Sequence, residues 1–104
     1  MTQQKIINIL GKKYTLKFYK NLLEYKNENG LVEEFAFGDC NHISKLIRIC
    51  NTVSKEETAD TLFHEILHAI DDELNLKIPH NKLHNISTVL TDTLLRNKLI
   101  KIKI

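Results

Sequence analysis

The segment His64-Glu65-Ile66-Leu67-His68 is where residue type and spacing point most directly to chemistry. Residues four apart on a helix share one face, so both imidazoles can reach a single tetrahedral zinc at about 2.0–2.1 Å. Glu65 follows His64 directly and is turned about 100° around the helix axis. It cannot share the same bonding direction, but it can reach a water in the metal's open position and act there as general base. Two surface histidines beside an unrelated glutamate would spell the same five letters. The setting of the segment therefore has to decide.

An unbroken helix carries its next turn away from the metal, so a third protein ligand must come from elsewhere. The extended motif, with a glycine before a third histidine, is absent; Asp71 and Asp72 stand there instead. His80 and His84 are the candidates. Folding the chain back about Lys77 mirrors His68 closer to His84, whereas His80 lies nearer the apolar seam of its own helix. Asp71 and Asp72, one turn beyond His68, have two readings. One of them accepts the free N–H of a ligand histidine, or both form a solvated acidic helix end that the helix dipole disfavours. Tyr14, Tyr19 and Tyr25 are hydrogen-bond donors to a reaction only in principle, and packing is the ordinary role of each.

The elements that must hold these residues are legible. Residues 5–10 are apolar, a Gly11-Lys12-Lys13 turn follows, and residues 14–19 alternate, which predicts a β-hairpin. A polar loop over residues 26–30 ends in Gly30. Residues 33–40 and 45–50 predict a second hairpin turning through residues 41–44, with Ile47 and Ile49 on one face. Ser54-Lys55-Glu56-Glu57 is a capping box, and the helix it opens should run to Glu73 or Leu74. Ala59, Leu62, Phe63, Ile66, Leu67, Ala69, Ile70 and Leu74 make its apolar arc. Thr61, His64, Glu65, His68, Asp71 and Asp72 lie opposite. Pro79 suits the first position of a second helix that ends near Asn97. Its stripe is Leu83, Ile86, Leu90 and Leu94, with His80, Ser87 and Thr91 along the edge. The tail, residues 99–104, alternates isoleucine with lysine as an edge strand or a loose end would.

Composition narrows the classes. A chain of 104 residues allows one domain with a single modest core. Hydrophobic residues at 42% and charged residues at 27% mark an ordinary soluble globular protein. A net charge of only +2, with scattered lysines, argues against nucleic-acid binding. No apolar run approaches the roughly 18 residues of a membrane span, and the first residues lack a signal-peptide pattern. The expected location is the cytoplasm, with Cys40 and Cys50 as reduced structural thiols.

From Thr61 to Asn97, and more loosely from Phe37, the chain resembles the minimal HExxH metallopeptidases of phages and prophages. It is similar in layout to SprT-like and ImmA/IrrE-like zinc proteases. The shared pattern is a strand with Ile47-Arg48-Ile49, then the capped helix carrying Thr61-Leu62-Phe63-His64-Glu65-Ile66-Leu67-His68, then Leu76-Lys77-Ile78-Pro79-His80. In such families the third ligand commonly opens the second helix three residues before an apolar position, as His80 stands before Leu83. The resemblance thus implies zinc on His64, His68 and His80, with Glu65 as base and a peptide or protein as substrate. It implies that residues 46–50 pair with an extended substrate, and a host-cytoplasmic setting if the protein is phage-encoded. His84 would then line the site. No acidic residue lies between Glu73 and Asp92, so the glutamate ligand of some relatives is not available here.

Taken together, residues 1–104 are expected to form one α+β, zincin-like domain: a small antiparallel sheet packed on an active-site helix and a second helix. Two rival readings remain, a zinc-binding interaction protein without catalysis and an amidase acting on a non-peptide bond. An intact Glu65 argues against the first, because a structural metal needs no base.

Overall fold

In the computed structural model, which describes residues 3–101, six strands precede two helices. The strands are β1 (Gln3–Ile9), β2 (Lys12–Tyr19), β3 (Leu23–Lys26), β4 (Val32–Ala36), β5 (Gly38–Asn41) and β6 (Leu46–Cys50). The helices are α1 (Lys55–Leu74) and α2 (His80–Arg96). The architecture is α+β, as the sequence predicts.

The first hairpin closes where Leu10 and Gly11 both take positive φ, 52° and 82°, the left-handed pair that matches the twist of two antiparallel strands. Asn8 Oδ1 accepts the Gly11 N–H at 2.8 Å and fixes that turn. The second hairpin differs from expectation. Residues 33–40 break at Phe37 into two strands: β4 pairs with β3 in a separate two-stranded sheet, and only β5 pairs with β6. β3 lies in a stretch where no strand was predicted. The polar loop predicted beside it is present, with Asn27 Oδ1 accepting the N–H groups of Asn29 and Leu31. Asn41 does the same for Ile43 and Ser44 in the β5–β6 turn.

The main sheet has the order β1-β2-β6-β5 and is antiparallel except for the central β2–β6 pair, which runs parallel. Leu16 stands beside Ile47 and Phe18 beside Ile49 in that pair, so two apolar rows merge on one face. These four side chains, with Tyr14 and Ile9, are buried against Leu62 and Ala69 of α1. Full burial of such a side chain stabilises by roughly 1.5–3 kcal/mol, which makes this layer the anchor of the helix.

Ser54 caps α1 by accepting the Glu57 N–H, and Asn75 ends it in the left-handed conformation. Asp71 Oδ1 then accepts the Ile78 N–H at 3.0 Å, closing the turn into α2. Pro79 is the N-cap of α2 rather than its first residue, its carbonyl accepting from Lys82 and Leu83. The inward face of α2 also departs from expectation. Leu83, Ser87 and Thr91 are buried, while Ile86 and Leu90 are 47% and 38% exposed. The helix is turned so that its polar edge meets the polar side of α1. That is affordable because Ser87 and Thr91 bond carbonyls of their own helix, His84 O at 2.9 Å and Ser87 O at 2.6 Å. Beyond α2, residues 99–101 form no strand, and residues 102–104 lie outside the described residues.

Candidate metal centre

The capped start of α1 and its apolar anchoring set which way His64, Glu65 and His68 point. The side opposite the apolar arc is the floor of a groove of about 550 Å³. Phe37, Gly38, Asp39 and Cys40 wall it on one side, and His80 and His84 at the start of α2 wall it on the other. Gly38 is what lets β5 come so close. A Cβ there would sit 2.6 Å from Thr61 Cγ2 and 3.1 Å from the Arg48 carbonyl oxygen.

His64, His68 and His80 come together, each offering a ring nitrogen, all within 4.8 Å of one another. The Nε2 atoms of His64 and His68 are 3.0 Å apart. Adjacent corners of a tetrahedron with metal–nitrogen bonds of about 2.0–2.1 Å lie roughly 3.3 Å apart, so this pair is already spaced as two ligands. The same 3.0 Å also suits a hydrogen bond between one tautomer and the other. His80, which is exposed, stacks on His68 with ring centres 5.3 Å apart. His84 borders His64 alone, at 5.6 Å between ring centres, and does not join the three-histidine cluster. An all-imidazole donor set fits a borderline metal such as zinc, though also copper, iron or nickel.

Electrostatics favour the ligand form of these rings. Burial pushes His64 down to about 4, assisted by the neighbouring His68, His80 and His84. His68 is lowered by burial and by His80. Both are then neutral at pH 7, with a lone pair free for a cation. Glu65 is the opposite case. It is only 6% exposed, and burial, then the charge of Asp39, lifts its carboxyl to about 7. A carboxyl poised there can both take and return a proton near neutrality. Cys40, facing the same floor, is raised to about 12 by burial and then by Glu65, which leaves it a thiol; Cys40 and Cys50 are both free.

The residues around the cluster hold structural roles, packing for Tyr14 as expected and, for Asp71, a contact that neither reading named. Asp71 braces the α1–α2 turn rather than a histidine, and Asp72 sits 3.6 Å from His42. Tyr14 is fully buried, its hydroxyl donating to Glu73 Oε1 at 2.7 Å, and Lys45 pairs with the same oxygen. Tyr25 donates to Asp39 Oδ2 at 2.5 Å, and Arg48 also binds that carboxylate. This ties the β3–β4 hairpin to the main sheet. The strand predicted to pair with substrate, β6, cannot do so: β2 occupies one of its edges and β5 the other. Among the described residues, the unpaired edge beside the histidines belongs to β5. Asp60, absent from the sequence reading, and Ser87, placed there only on the edge of the second helix, approach the outer side of His64. Asp60 was findable as the residue one turn before His64; Ser87, 23 positions away, carried no such signal.

Fold and site together define an α+β protein with a three-histidine cluster beside a buried glutamate. Compared with models of protein families, with curated proteins and with solved structures, the chain matches none.

Proposed function

We propose that this chain is a zinc-dependent hydrolase that cleaves peptide bonds in an extended polypeptide. The observation that supports it best is the convergence of His64, His68 and His80 within 4.8 Å beside the buried Glu65, at the floor of an open groove. When bound, zinc supplies a Lewis acid that polarises the carbonyl and acidifies a water. The chain's own groups do the rest. Glu65 takes the proton of the attacking water and returns it to the departing amine, a shuttle suited to a carboxyl near 7. His84, on the groove wall, would then be the donor to the oxygen that gains charge.

The substrate class is supported by β5. Its edge away from β6 is unpaired among the described residues, and it lines the same groove as the three histidines. An extended peptide added to that edge would gain main-chain hydrogen bonds and lie across the site. The setting we propose is the cytoplasm, which suits two free thiols. Among the described residues no helix is long and apolar enough to cross a membrane.

The test is metal analysis of wild type and Glu65→Gln, with a proteome-wide screen for new chain ends. Near-stoichiometric zinc in both, with cleavage in wild type only, is the expected result. Zinc without cleavage in either would overturn the peptidase reading in favour of a non-catalytic binding protein or an amidase acting on a non-peptide bond. No bound metal would end the metal reading altogether.

A further inference from the structure

We propose that Asp60 and Ser87 act as positioning residues for His64, holding its proton on Nδ1 so that Nε2 faces the other two histidines. This rests on the metal-centre reading, but its structural half can be judged without metal. Ser87 is fully buried at the α1–α2 contact. Its Oγ lies 3.5 Å from His64 Nδ1 and 3.4 Å from Asp60 Oδ1, and it donates to the His84 carbonyl at 2.9 Å. Thr88 Oγ1 reaches both Asp60 oxygens at 3.4 Å, so the carboxylate is held from α2 as well. On the inner side, His64 Nε2 faces His68 Nε2 at 3.0 Å.

A neutral imidazole has one N–H and one lone pair, and whatever binds the first nitrogen decides what the second offers. Ser87 has a single hydroxyl proton. Whether it goes to the His84 carbonyl or to Asp60, the oxygen lone pairs are left to accept the Nδ1–H of His64. Asp60, one turn before His64 on α1, adds a negative charge on the same side. The contacts at 3.4–3.5 Å are at the long end of the hydrogen-bond range and should shorten when His64 carries a cation on Nε2 and becomes a stronger donor. Removing such outer partners typically weakens metal binding about 10–100-fold.

The test uses the full chain, labelled with nitrogen-15, and reads the His64 tautomer in metal-free protein at pH 7 from long-range proton–nitrogen spectra. His64→Gln assigns the signals. Zinc affinity is measured in parallel by competition with a chromophoric chelator, for wild type, Asp60→Asn, Ser87→Ala and the control Asp92→Asn, whose carboxylate pairs with Arg96. Nδ1–H is expected in wild type and a mixed tautomer in Ser87→Ala. Zinc binding should weaken about 10–100-fold in Ser87→Ala and in Asp60→Asn, and not in Asp92→Asn. A merely structural contact would lower the melting temperature without moving the tautomer. An Nε2–H wild type, or affinities within about twofold in both variants, overturns the proposal. A wild type that shows Nδ1–H yet binds no zinc would instead sink the metal-centre reading and leave the tautomer lock standing.

Discussion

Gly38→Ala is the substitution whose cost follows most directly from the structure. The added methyl would lie 2.6 Å from Thr61 Cγ2, 3.1 Å from the Arg48 carbonyl oxygen and 3.2 Å from Ile49 Cδ1. Overpacking of this kind costs about 1–3 kcal/mol. Against it stands the lower chain entropy of alanine in the unfolded state, worth about 0.4–1 kcal/mol. A 2.6 Å approach belongs to the upper half of that overpacking range, about 2–3 kcal/mol. The net loss should then be about 1–2.6 kcal/mol, or roughly 4–20 °C in melting temperature for a domain of this size. Thr61→Ser removes the nearest atom while leaving the hydroxyl that donates to the Glu57 carbonyl at 3.0 Å. The double variant should therefore recover part of the loss, and only part, because the Arg48 carbonyl remains. Thermal unfolding of the two single variants and the double variant gives the coupling directly. Gly38→Ala as stable as wild type, or a double variant showing no coupling, would refute the close approach of β5 to α1. The same approach walls the metal groove, so zinc affinity in Gly38→Ala should fall along with stability.

Other expectations follow from single contacts. In metal-free protein, Glu65 has its pKa raised from 4.5 to about 7 by burial and by Asp39. Its ionisation therefore subtracts stability progressively as pH rises through that window, by up to roughly 3 kcal/mol once complete. Metal-free Glu65→Gln should accordingly gain stability over wild type at pH 8 and gain little at pH 4.5; equal gains at both, in denaturant titrations, would contradict the buried placement. His80→Ala should lose stoichiometric zinc while His84→Ala retains it, read by metal analysis after gel filtration; the reverse pattern would move the third ligand to His84. Asp71→Ala, which frees the Ile78 N–H at the α1–α2 turn, should cost about 1 kcal/mol and weaken zinc binding, and Asp72→Ala should do much less. A shared loss of equal size would show that the turn does not depend on the Asp71 contact. Asp39 is pulled upward by burial but held below its ordinary value by hydrogen bonds from Arg48 and Tyr25 and by the Arg48 charge. Its contribution is present above about pH 4 and lost as pH falls through the depressed value, so Asp39→Asn should flatten the acid limb of the stability curve.

Local features of the chain were legible because their causes are local. The capping box at Ser54, the four-residue spacing of His64 and His68, and the turn after Leu74 each depend on atoms a few residues apart. The alternation around Ile47 and Ile49 marked a buried face without saying which strand lay alongside. The same alternation is compatible with a hairpin partner or a parallel one, so β2 beside β6 could not be read. The break at Phe37 escaped for a related reason: residues 33–40 keep strand character throughout, and only the pairing of β4 with β3 reveals two strands. On α2 the apolar count favoured Ile86 and Leu90 inward. Its polar edge turned inward instead, because the facing side of α1 carries Asp60 and His64, information that sits more than twenty residues away.

The sequence by itself determined an α+β chain and a capped helix that presents two histidines on one face. It also offered His80 and His84 as candidates for a third ligand. All of that follows from spacing along the backbone. Only the tertiary structure brought His80 within reach of His64 and His68 and left His84 on the wall. It also buried Glu65 and, among the described residues, made β5 rather than β6 the edge strand beside the histidines. Those outcomes depend on how α2 rotates against α1 and on which strands share an edge. Both are fixed by packing between residues far apart in the chain, and no local pattern encodes them.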